Sequence, residues 1–96
     1  MRLTLLSRAY CHLCDEMLAA LTPMARAHRT AIDVVDVDAD GNEGLVSVWG
    51  DRVPILFAGD PHPENELCHY RIDRPRVEAA LGLISARGFA RNPEIR

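Results

Sequence analysis

The sequence predicts one α/β domain built on a mixed four-stranded sheet, with its elements in the order β-α-β-α-β-β-α. Three observations predict it. Four short apolar or β-branched stretches are interleaved with three stretches of helical periodicity. The first strand leads directly into Cys11-His12-Leu13-Cys14 at a helix start. Val53-Pro54 then stands at the head of the third strand.

Residues 2–6 form the first strand, short and apolar and followed by Ser7. A helix begins near Cys11 or His12, because Leu13, Met17, Leu18, Leu21 and Met24 recur at three- and four-residue steps. Asp15 and Glu16 lie in its first turn, where carboxylates suit the positive end of the helix dipole. Pro23 is expected to kink this helix or end its regular part, since proline removes a hydrogen bond and crowds the preceding turn. Residues 32–37 read as a second strand, rich in β-branched side chains. Asp40-Gly41-Asn42 breaks it and caps a short helix over residues 43–49, which Gly50 terminates. Residues 52–57 read as a third strand that begins at a proline, a tolerated position. Residues 59–65 hold Pro61 and Pro63 and form a loop, and residues 66–70 give a short fourth strand. Asp73 as N-cap, Pro75 in the first turn, and Val77, Leu81 and Ile84 on one face define the last helix, closed by Gly88. The domain therefore covers residues 1–88, and residues 89–96 form a loosely held tail. The βαβ start requires a parallel pair with a right-handed crossover. The later β-β step requires an antiparallel hairpin.

With 96 residues, 48% of them hydrophobic and 26% charged, the chain suits one soluble globular domain with a modest core. Its net charge of −3 argues against general nucleic-acid binding, which needs a basic surface. No run approaches eighteen apolar residues, so no membrane span is expected. The first seven residues are too short an apolar run for a signal peptide, which makes the cytoplasm the expected compartment. There, a close cysteine pair is more often catalytic or metal-binding than structural. Residues 33–43 carry five acids and no arginine, and residues 71–96 carry six arginines and three acids. Both read as solvated surfaces. The chain has no lysine, so no lysine side chain can serve as a base, a Schiff-base former or a thiolate partner.

The chemistry centres on Cys11-His12-Leu13-Cys14. Two cysteines three apart fall on one side of a helical turn, so their sulfurs can join or separate with little backbone movement. The first stands at a helix N-terminus, where unpaired N–H groups and the dipole favour a thiolate. That lowers its pKa below the free value of about 8.5 and makes it the nucleophile. The second lies deeper in the helix and resolves the mixed disulfide. The spacing alone is weak evidence. Its position between the first strand and first helix of a βαβ unit is what the redox reading demands. Val53-Pro54 is the second signal. X–Pro is the linkage where a cis bond costs little, and a native cis-proline is usually functional. Facing the cysteines, it would expose the backbone of Val53 to pair with a substrate chain.

A strand, then Tyr10-Cys11-His12-Leu13-Cys14 opening a helix, then Val53-Pro54, resembles the thioredoxin superfamily in its short glutaredoxin form. More closely, four segments are similar to a family of small glutaredoxin-like proteins of undefined physiological function. They are Cys11-His12-Leu13-Cys14-Asp15-Glu16, Asp36-Val37-Asp38, Arg52-Val53-Pro54-Ile55-Leu56 and Glu66-Leu67-Cys68-His69-Tyr70, and the resemblance covers about residues 2–86. It implies a thioredoxin-like (glutaredoxin-like) fold with strand order 2-1-3-4. It also implies Cys11 as nucleophile, Cys14 as resolving cysteine and Pro54 as the cis-proline. The expected activity is that of a thiol–disulfide oxidoreductase. The expected partners are protein or small-molecule disulfides and a thiol reductant, met by a monomer with no cofactor beyond a redox-active Cys11–Cys14 disulfide. Two features depart from glutaredoxins. His12-Leu13 replaces the usual Pro-Tyr, and residues 69–73 lack the glycine pair that holds glutathione, so glutathione is expected to be a poor reductant.

Other residues have plainer readings. Cys68 reads as a small buried strand residue. His12 could stabilise the Cys11 thiolate when protonated. Tyr10 could shield Cys11, offer a substrate-facing hydroxyl, or simply pack. Arg8, His28 and His62 read as surface residues, and Trp49 as a core residue. Two alternative functions stand beside the redox reading. One is a zinc-type or iron–sulfur site using Cys11, Cys14, Cys68 and either His12 or His69. The other is a non-enzymatic binding module on the same fold.

Overall fold

Leu3, Thr4, Leu5 and Leu6 are all buried, so the first strand is covered on both faces and belongs in the middle of the sheet. A computed structural model describes residues 2–90, with side chains through Ile84. It places β1 (Arg2–Ser7) between β2 (Ala31–Asp36), which runs parallel to it, and β3 (Ile55–Ala58), which runs antiparallel. β4 (Glu66–His69) adds to β3 antiparallel, and the strand order is β2-β1-β3-β4. The helices are α1 (His12–Ala27), α2 (Glu43–Trp49) and α3 (Arg74–Ala90). Short 3₁₀ turns occupy Gly50–Arg52 and Pro63–Asn65. This is the element order and sheet order expected from the sequence.

Alternation along β1 divides the core into two halves. Leu3 and Leu5 pack with Met17, Leu21 and Met24 of α1, Leu56 and Cys68 of the sheet, and Val77 and Leu81 of α3. Leu6 packs on the other side with Val37, Trp49, Ile55 and Phe57. Trp49 meets Phe57 edge to face at 5.1 Å between ring centroids, which confirms its expected core role.

Four local expectations are corrected. Pro23 lies inside α1, which continues to Ala27. The proline faces solvent while Leu21, Met24 and Ala25 are buried around it, so packing holds the helix together and water can reach the freed carbonyl. The third strand begins at Ile55, because Gly50–Arg52 coils as a 3₁₀ turn ahead of Val53 and Pro54. Asn42 does stand at the N-cap of α2, but its side chain donates to the Asp36 carbonyl at 2.7 Å and caps nothing. Gly88 does not close the last helix, which runs on to Ala90. Phe89 and Ala90 are thus helical, and the rest of the expected tail, residues 91–96, lies outside the described residues.

Gly50 stands at the C-cap of α2 and ends it, as expected, though not in the left-handed conformation that glycine usually takes there. It keeps helical backbone angles, φ −57° and ψ −32°, and passes α2 into the 3₁₀ turn. A Cβ there would lie 2.9 Å from Val46 Cγ2, so a larger residue would have to displace that side chain.

Candidate active site

The antiparallel register pairs Leu6 with Ile55, so the chain leaving β1 and the chain entering β3 meet at one end of the sheet. Both sequence signals therefore lie off the same end of the sheet. Leaving β1, the backbone passes through Tyr10 at φ 57°, an unusual posture for a residue with a side chain. Tyr10 is fully exposed, so its ring does not pack into the core.

Cys11 is the N-cap of α1, with extended backbone (φ −106°, ψ 105°). Its carbonyl accepts the Asp15 N–H at 3.1 Å and its Sγ accepts the Cys14 N–H at 3.1 Å. A first-turn amide thus points at the sulfur, which is how a helix start stabilises a thiolate. Cys11 and Cys14 are joined as a disulfide, with 5.2 Å between their Cα atoms. Cys11 is half-buried and Cys14 is 1% exposed, so of the two residues Cys11 is the more open to solvent. His12 projects outward with its side chain 91% exposed and pairs with Glu16 at 3.4 Å, one helical turn on.

Val53–Pro54 is a cis peptide bond. Val53 is extended (φ −67°, ψ 145°) and half-buried, and Pro54 is buried. The turn before them is held on several sides. Arg52 reaches the Glu66 carboxylate, lies 5.7 Å from the Trp49 ring centroid, and approaches His69 Nδ1 at 3.3 Å. His69 Nδ1 also lies 3.0 Å from Glu66 Oε2. Tyr70 donates its N–H to the Pro54 carbonyl at 2.8 Å and its hydroxyl to the Asp51 carbonyl at 2.7 Å.

Partial burial alone would raise the Glu66 carboxyl, but Arg52 and His69 outweigh it and hold the group below its ordinary range. A depressed carboxyl adds stability above its unfolded pKa and loses it as pH falls through the folded value. Glu66→Gln is therefore expected to cost stability at pH 7, with the difference from wild type shrinking below about pH 4. Urea midpoints of both proteins at pH 7 and pH 3 measure this. An equal gap at both pH values would show that the ion pair contributes nothing.

Arg8, expected as a surface residue, is a stitch between loops. It forms a two-pronged ion pair with Asp38, at 2.9 and 2.8 Å, and donates to the Gly50 carbonyl at 3.2 Å. Its hydrogen bond holds the Asp38 carboxyl below the usual carboxylate range. His62 is exposed, whereas His28 is half-buried and pairs with Glu78 at 3.3 Å. Cys68 is free and 9% exposed in the core, where burial pushes its thiol up. Among the described residues, no three His, Cys, Asp or Glu side chains converge as a metal site would require. Nor, among the described residues, is any helix long and apolar enough to cross a membrane.

Fold and site together define a thioredoxin-fold protein of glutaredoxin-like type, with a cysteine pair at the start of its first helix. The model of the Glutaredoxin-like domain (DUF836) family matches residues 2–82, and the chain belongs to that family. It is 38% identical to protein Ne2328 from Nitrosomonas europaea, known from a solution NMR structure, with a TM-score of 0.66 over 81% of this chain and 87% of that one. It is also 38% identical to the structural-genomics target protein XcR50 from X. campestris, with a TM-score of 0.59 over 84% of this chain and 96% of that one. Thioredoxin 1 from Thermosipho africanus TCF52B shares the fold at 18% identity, with a TM-score of 0.59 over 92% of this chain and 98% of that one. No curated protein matches the chain.

Sequence reasoning missed the braces around the 50–54 turn: Arg52, Glu66, His69 and Tyr70. The hairpin register held a usable signal. Pairing Ile55 with His69 sets Tyr70 opposite Pro54.

Proposed function

We propose that the protein is a thiol–disulfide oxidoreductase in which Cys11 attacks and Cys14 resolves. The observation that carries this reading is the half-buried Cys11 sulfur at a helix N-cap, facing the Cys14 amide and joined to the buried Cys14. In the reduced protein the Cys11 thiolate attacks one sulfur of a substrate disulfide. One substrate sulfur leaves as a thiolate and takes a proton, while the other stays bonded to Cys11. Deprotonated Cys14 then attacks Cys11 Sγ, closes the Cys11–Cys14 bond and releases the second substrate thiol. Two electrons pass from the cysteine pair to the substrate, and a thiol reductant returns two. Extended Val53 supplies backbone that a substrate chain can pair with, and His12 lies beside the nucleophile in sequence. Protein and small-molecule disulfides are the substrates proposed, reached by a cytoplasmic monomer. Without the glycine pair near residues 69–73, glutathione is a poor reductant.

Equilibration against dithiothreitol buffers of graded reduced-to-oxidised ratio, followed by alkylation and mass measurement, tests this reading. Two thiols should appear and disappear together as the buffer potential crosses one value, and the transition should reverse. A pair that stays oxidised or stays reduced across every ratio would overturn the proposal.

A further inference from the structure

We infer that Tyr70 is a positioning residue for disulfide exchange, holding the 51–54 turn in the form that receives a polypeptide substrate. The inference rests on the oxidoreductase reading. Tyr70 follows β4 directly, where hairpin pairing would ordinarily end. Its N–H donates to the Pro54 carbonyl at 2.8 Å and its hydroxyl to the Asp51 carbonyl at 2.7 Å, so one residue grips the turn on both sides of Val53. The grip is made in an unfavourable posture. Tyr70 has φ 64°, and the Arg71 N–H donates across it to the His69 carbonyl at 2.7 Å, a tight three-residue turn. A tyrosine held there persists only because its surroundings fix it.

Burial does not explain the posture, since the residue is 43% exposed. Its ring stacks edge to face on His69 at 4.8 Å, and His69 is itself fixed by Glu66 and Arg52. Tyr70 also lines a groove with Leu13, Met17 and Ile72, and Leu13 lies between the two site cysteines. An exposed aromatic in a strained turn, with both polar groups spent on one neighbouring segment, fits a clamp on that segment better than a core contact.

Single-turnover kinetics with two activated disulfides separate the roles. One probe is dithionitrobenzoate, which has no polypeptide backbone. The other is an unstructured peptide of about ten residues whose cysteine carries thionitrobenzoate. In both, Cys11 displaces thionitrobenzoate, whose absorbance reports the rate. Tyr70→Phe removes one neutral hydrogen bond, so the half-saturating peptide concentration should rise about fivefold. The maximal rate should change less than about twofold, and the reaction with dithionitrobenzoate should not change. Tyr70→Leu, which also lacks the hydroxyl, should give the same split, and both variants should unfold near the wild-type temperature. Unchanged peptide kinetics, or equal slowing of both probes, would overturn the clamp alone. A wild type inert to both probes would overturn the oxidoreductase reading and the clamp with it.

Discussion

Cys11→Ser is expected to reduce disulfide exchange by about a thousandfold or more, the scale on which enzymes lose rate when a nucleophile is removed. A serine hydroxyl is not ionised near neutral pH, and the Cys14 amide that now meets Sγ cannot make it so. Cys14→Ser should behave differently. It leaves the first attack intact and removes the escape route, so the Cys11 mixed disulfide accumulates and can be isolated with its substrate. Mass spectrometry of each variant, after incubation with an oxidised peptide, distinguishes them. A stable adduct on Cys14→Ser and none on Cys11→Ser is the expected pair. Equal behaviour would remove the division of labour that their unequal exposure supports. A metal-binding reading would predict loss of metal from either variant with no adduct, and a binding module would be indifferent to both changes.

Phe57→Ala should be the most damaging of the core substitutions around the site. Phe57 is fully buried between Leu6, Val37, Ile55 and Trp49. Truncation removes its transfer free energy and leaves a cavity, a loss of about 3–5 kcal/mol. A small domain holds only about 5–15 kcal/mol in all. The effect should also reach the site. The Trp49 ring rests edge-on against Phe57 and carries Arg52 at 5.7 Å, and Arg52 braces the turn that leads to Val53. Urea unfolding followed by the fluorescence of Trp49, the chain's one tryptophan, reads both stability and local packing. A loss under about 1 kcal/mol would show that this half of the core repacks freely around a void.

The fold was legible because its periodicities are consistent with its packing. Leu13, Met17, Leu21 and Met24 mark one helix face, and β1 alternates between two core halves. What the sequence obscured depends on tertiary context. Pro23 signals a helix end by local rules, and buried neighbours on the opposite face override it. The true end of α1 carries no glycine. Arg29 takes φ 52°, and the Thr30 N–H donates to the Ala25 carbonyl at 2.9 Å, closing the helix in the manner glycine usually serves. At the site, the cysteine pair and Val53-Pro54 could be found because their chemistry is carried by residue type and spacing. Tyr70 and Arg52 could not be found that way. Their roles come from strand register and from a turn that brings β4 beside the 3₁₀ segment.

If Cys11 is an activated thiolate nucleophile, its alkylation rate as a function of pH must show it. The reduced protein is treated with iodoacetamide across the pH range, and modification is assigned to each cysteine by mass. Cys11 should react first, with an inflection clearly below the free-thiol value of about 8.5. Cys14 and the buried Cys68 should lag behind it, Cys68 most of all because burial raises its pKa. An inflection for Cys11 at or above about 8.5, or Cys14 or Cys68 reacting ahead of it, would show that Cys11 is not the activated thiol.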